Sequence, residues 1–115
     1  MTSDPFHLQR FVDAQAGGMY EQALAELRAG RKKSHWMWFI LPQHRDLGRS
    51  EMARYYGLSG KDEAAAYLLH RVLGPRLREC VAAVRAQVEA GRSLEAIFGS
   101  VDAMKFRSSM EIFDL

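Results

Sequence analysis

The sequence predicts an all-α fold, a single compact domain over residues 1–115 with six to eight helices, several of them short. Three observations carry this. Apolar residues recur at helical spacing through most of the chain. Glycines and prolines punctuate it at helix-length intervals. No strand ladder, hairpin signal or internal repeat is evident.

The first helix has Pro5 in its opening turn, Ser3 or Asp4 as cap, and Leu8, Phe11 and Val12 at helical spacing; Gly17-Gly18 stops it. A second runs from Met19 to Ala29, with Tyr20, Ala23, Leu24 and Leu27 as its apolar stripe and Gly30 at its end. The run from His35 to Leu41 is apolar or aromatic throughout, so periodicity cannot separate a buried helix from a buried strand. With no partner strand in view, a short buried helix capped by Ser34 and ended by Pro42 is the reading adopted. Residues 43–50 read as a polar loop, and Glu51 to Tyr56 as a short helix before Gly57. Ser59 caps the next helix, which starts near Lys61, with Asp62 and Glu63 complementing its dipole. Pro75 opens the clearest helix, in which Leu77, Val81, Val84 and Val88 share a stripe beside Cys80 and which Gly91 ends. Ser93 caps a turn over Leu94 to Phe98, and Ser100 caps a last helix running towards Phe113.

Composition narrows the class further. At 115 residues and 48% hydrophobic, the chain holds one core and is too apolar to be disordered. One cysteine builds no disulfide framework, and Cys80 reads as a buried, inert thiol. The start, Met1 to Pro5, has no secretory pattern, and the longest apolar run is far below a membrane span. These features place the protein in a reducing cytoplasm, away from membranes.

The net charge of +2 hides an uneven distribution. Arg28, Arg31, Lys32, Lys33, Arg45, Arg49 and Arg54 face only Asp46 and Glu51, so residues 28–54 carry +5 and the remainder −3. Such a face suits phosphates, a nucleic-acid backbone or an acidic protein, and equally a solvated surface. An overall balance this close to zero is not that of a non-specific nucleic-acid binder.

No phosphate loop, dinucleotide fingerprint, metal-ligand spacing or nucleophile elbow is present, and nothing implies a metal or a cofactor. Two weaker segments remain. In the first, His35 is the one titratable group within an apolar stretch and the one candidate acid–base. Trp36 and Trp38 offer faces for a flat ligand or fill the core, and Gln43 offers an amide. In the second, Lys105, Arg107, Ser108 and Ser109 lie on a largely buried helix and make an anion site, unless the pairs Asp102–Lys105 and Arg107–Glu111 satisfy both cations. A serine nucleophile here would need His35 as its base.

The run Ser34 to Gln43, the turn Leu73 to Leu77, and Ile97-Phe98-Gly99 with Lys105 to Met110 resemble the bacterial domain-of-unknown-function family 1810, over about Leu8 to Phe113. The resemblance implies a small, mostly helical cytosolic protein and names no reaction. Its members are sometimes labelled calpastatin-like, which is not read here as a function. Leu41, Arg71 and Glu111 depart from its usual phenylalanine, proline and threonine. Relatives tend to continue for another helix past the Phe113 position, which implies a chain one helix short, less stable or dependent on a partner.

Two functions follow as expectations. One is a small-ligand domain in which His35, Trp36, Trp38 and Gln43 meet Lys105, Arg107, Ser108 and Ser109 around an anionic, nucleotide-like molecule. The other is a non-catalytic interaction module using the basic face 28–54.

Overall fold

Glycine, serine and histidine set the ends of the helices in the computed structural model, which describes residues 3–115. Met1 and Thr2, part of the stretch read as leaderless, lie outside them. Among the described residues there are eight α-helices: α1 (Gln9–Ala14), α2 (Met19–Arg28), α3 (Met37–Ile40), α4 (Glu51–Tyr55), α5 (Lys61–Leu69), α6 (Leu73–Glu89), α7 (Leu94–Phe98) and α8 (Ser100–Phe113). A 3-10 turn over Arg45–Leu47 interrupts the expected loop 43–50. The fold is all-α, as the periodicity predicts.

Ser93 caps its helix as expected, whereas Ser100 is the first residue of its helix with Gly99 at the cap, and other caps differ too. The Ser50 and Ser93 hydroxyls accept the Ala53 and Ala96 amides and start α4 and α7. Ser34 does not cap α3, because its amide and hydroxyl are both taken by Glu26. Ser59 likewise donates its amide and hydroxyl to Glu63, and Gly60 takes the capping position of α5. The first helix begins at Gln9 rather than near Pro5. Asp4 still serves its start by accepting the Leu8 and Gln9 amides, while His7 turns the chain at φ 53°. The His70 ring nitrogen accepts the Val72 and Leu73 amides and opens α6.

The layers follow from the apolar faces. α2 packs on α6, α6 on α5, α5 on α8 and α8 on α7, while α1 meets α3 across the other end. Tyr67 is fully buried at the centre, its ring 5.1 Å from Phe11 and 5.2 Å from Phe113. Gln15, also buried, donates to the Phe39 carbonyl and the Tyr67 hydroxyl and so joins α3 to α5. Gly74 is required by space: a Cβ there would lie 2.1 Å from the Leu68 carbonyl oxygen.

Two polar hubs hold the irregular parts. Arg10 is buried on α1, and all five of its N–H groups have acceptors. Nε donates to Tyr55 O, Nη1 to Phe6 O and His7 O, and Nη2 to Gly57 O and Glu63 Oε2. Glu63 stands in the first turn of its helix as expected, and there it is buried with Arg10 at 2.8 Å. The second hub is Glu26 on α2. It accepts the Lys33 and Ser34 amides, the Ser34 hydroxyl and the Trp36 indole N–H at 2.9 Å. Burial works against its charge, but these donors outweigh it and hold the carboxyl down at about 2.

Arg10→Met and Glu63→Gln are each expected to cost about 3–5 kcal/mol in urea unfolding, since either leaves a buried charge alone. The double variant should lose less than the sum, and losses below about 1 kcal/mol would mark an ordinary surface pair. Gly74→Ala should cost about 1–3 kcal/mol, because the close atom is backbone and cannot swing aside. The Glu26 contribution should be complete above its ordinary 4.5 and fade as pH falls towards about 2. Urea midpoints followed from pH 6 to pH 2 should therefore fall less in Glu26→Gln than in the parent chain; parallel profiles would refute the hub.

Candidate functional site

α3 buries Met37, Phe39 and Ile40 and so turns Trp38 outward, while α8 buries Ala103 and Phe106 and leaves Lys105 at its edge. These opposed faces bring segments 34–43 and 105–110 together at Trp38, Gln43 and Lys105, which share a recess with Met37, Leu41 and Tyr56. Its volume is ≈ 10 Å³, room for about one water. Lys105 Nζ lies 5.8 Å from the Trp38 ring centroid, within cation–π reach.

Asp102, one turn before Lys105, sets the electrostatics. Its Oδ1 lies 3.6 Å from Lys105 Nζ and its Oδ2 3.0 Å from Lys32 Nζ. Lys32 in turn sits 5.1 Å over Trp36. One carboxylate thus faces two ammonium groups, and the cluster carries an excess positive charge beside Trp38.

A separate, larger hollow of ≈ 450 Å³ is lined by His44, Leu47, Lys61, Ser108, Glu111 and Ile112 among others. Gln43 and His44 are consecutive on one wall, and Lys105 and Ser108 are one turn apart on α8. Lys61 Nζ donates to Glu111 O at 2.8 Å and lies 3.0 Å from Asp114 Oδ1, at the end of α8. The His44 ring accepts the Asp46 amide, which holds the 3-10 turn against the hollow.

The remaining candidates lie elsewhere. His35 is exposed and lines neither hollow. Trp36 is fully buried and its N–H is committed to Glu26, so it presents no face to a ligand. Arg107 pairs at 2.8 Å with Glu95 of α7, rather than with Glu111 as its spacing suggests, because α7 lies alongside. Ser109 is fully buried, and its hydroxyl is the one buried side-chain polar atom without a hydrogen-bond partner among the described residues. No hydrogen bond joins His35 to either serine among the described residues, so the nucleophile–base pair is not assembled.

The basic segment 28–54 divides. Lys32 turns inward to Asp102, and Arg28 lies 3.6 Å from Glu79. Arg31, Lys33, Arg45, Arg49 and Arg54 remain exposed. Burial pushes the Cys80 thiol up to about 12, so it stays protonated at neutral pH. Among the described residues no group of three or more metal-ligating side chains converges, and no helix is long and apolar enough to cross a membrane.

Sequence reasoning missed Lys32, Tyr56, His44 and Lys61 as parts of this region, and with them the Lys32–Asp102 pair. Asp102 and Lys32 are far apart along the chain and carry no local pattern. Lys61 looks like an ordinary first-turn residue.

The chain is similar to one solved structure in particular, the conserved hypothetical protein Rv1873 from Mycobacterium tuberculosis. The two are 56% identical and superpose with a TM-score of 0.91, over 96% of this chain and 77% of that one. No curated protein matches significantly. The sequence profile of a family described as "Protein of unknown function (DUF1810)" matches residues 5–115, nearly the whole length, and the chain therefore belongs to the DUF1810 family.

Proposed function

We propose that this is a cytoplasmic bacterial domain that binds a small anionic, nucleotide-like molecule in the groove between residues 38–47 and α8. The observation that carries the reading is the sharing of Asp102 by Lys32 and Lys105, which leaves a positive charge uncompensated beside an accessible tryptophan. The flat part of the ligand rests on Trp38, Gln43 offers its amide, and the anionic part lies between Lys105 and Ser108. The ≈ 450 Å³ hollow suits a small molecule. The inner recess takes only its tip, unless Trp38 swings aside. The reading is one of binding, and no residue is assigned to bond making. A free, buried Cys80 suits a reducing cytoplasm.

A thermal-shift series with AMP, ADP, inorganic phosphate and uncharged adenosine tests it. The nucleotides are expected to raise the melting temperature more than adenosine does. Lys105→Met should weaken binding by about 10–100-fold, the worth of a charge-assisted contact. Trp38→Phe should keep the shift, and Arg107→Gln, outside the groove, should match the parent. Equal shifts in parent and Lys105→Met would refute the site.

A further inference from the structure

A second cationic hollow lies on the opposite side of α4. Ala53 and Tyr56 line the recess beside Lys105, whereas Arg54 and Tyr55 face away from it, into an open hollow of ≈ 360 Å³ shared with His7, Arg10, Arg45 and Glu63. Arg45 and Arg54 also bound the adjoining hollow of ≈ 400 Å³, where Asp46 is the acidic neighbour.

Two glycines bring these arginines together. A Cβ on Gly57 would lie 2.3 Å from Arg45 Cα, and one on Gly48 would lie 2.4 Å from Ala53 Cβ. Only without those side chains can the 3-10 turn press against α4. The ion pairs among the described residues leave both arginines out. The Asp46 carboxylate is largely exposed and pairs with neither arginine among the described residues. Glu63 is spent on Arg10 and Ser59. Counting Arg10, Arg45 and Arg54 against Glu63 leaves the inner hollow with a charge of +2.

The floor is rigid. Arg10 holds the carbonyls of Phe6, His7, Tyr55 and Gly57, the backbone of the surrounding walls. His7, in the left-handed region at φ 53°, is fixed by that contact and sets its ring edge-on to Tyr55 at 6.3 Å. Tyr55 is 53% exposed, so its ring is open to a ligand.

We infer that this hollow binds a small phosphomonoester, its dianion between the Arg45 and Arg54 guanidinium groups and its carbon skeleton on Tyr55 and His7. Two guanidinium forks match the double charge and the three terminal oxygens of a phosphomonoester, whereas a sulfate monoester offers the same oxygens with a single charge. The site is distinct from the recess beside Lys105, with which it shares only Gly57.

Amide chemical-shift titrations of the full chain with phenyl phosphate, phenyl sulfate, inorganic phosphate and matched sodium chloride test the inference. Phenyl phosphate should move the Gly48, Tyr55 and Gly57 amides and bind about tenfold tighter than the sulfate, through its second negative charge. Arg45→Gln with Arg54→Gln should weaken it by about tenfold or more. Both side chains are exposed, so the fold should persist. Arg49→Gln, which lines neither hollow, should leave binding unchanged. Tyr55→Leu should weaken phenyl phosphate but not inorganic phosphate. Affinity equal to that for sulfate, insensitivity to the arginine pair, or shifts centred on the Trp38 indole would each overturn the assignment.

Discussion

Arg10 is the residue on which the irregular half of the molecule depends. A guanidinium out of water must have every N–H bonded and its charge balanced, and here both conditions are met by parts of the chain that otherwise share little. Its acceptors come from the N-terminal turn, the end of α4, Gly57 and α5. The N-terminal turn, the end of α4 and Gly57 are irregular, and there Arg10 takes up the carbonyls of Phe6, Tyr55 and Gly57. Apolar packing alone would not orient them, because it is non-directional. The ion pair specifies the arrangement as well as stabilising it.

Glu26 and Asp102 apply the same logic on the other side of the molecule. Glu26 gathers the donors of residues 33–36 and thereby commits Trp36 to the core. Lys32, one residue earlier, bonds its amide to the Ile97 carbonyl and its side chain to Asp102. The basic run after α2 is therefore stitched to α7 and α8 rather than lying free. Because Asp102 also serves Lys105, satisfying the interior leaves a positive charge at the groove. The two cationic hollows arise differently: one from a carboxylate shared between two lysines, the other from arginines left out of the ion pairs among the described residues.

Much of the helical framework was legible. Gly30, Gly57, Gly91 and Gly99 end or separate helices where expected, and Ser93 marks a true start, because turn and cap chemistry is local. The Asp102–Lys105 pair could likewise be read from its i,i+3 spacing. The failures were non-local. Ser34 and Ser59 looked like caps, but each was claimed by a carboxylate that its tertiary neighbours had already made a hub. Val88, placed on the apolar stripe of α6, is 45% exposed.

The sequence by itself determined the class of the fold, the order and rough bounds of its helices, and the concentration of cations in residues 28–54. Those properties depend on periodicity, on caps a few residues apart and on composition, all written along the chain. Tertiary structure alone decided which polar groups meet. Of two adjacent tryptophan positions, it buries Trp36 and presents Trp38. Of seven basic residues, it turns Lys32 inward and pairs Arg28, and it sets Arg45 beside Arg54. The reason is physical: the partner of a buried charge is chosen by proximity and by the cost of leaving it unpaired, and neither has a period in sequence.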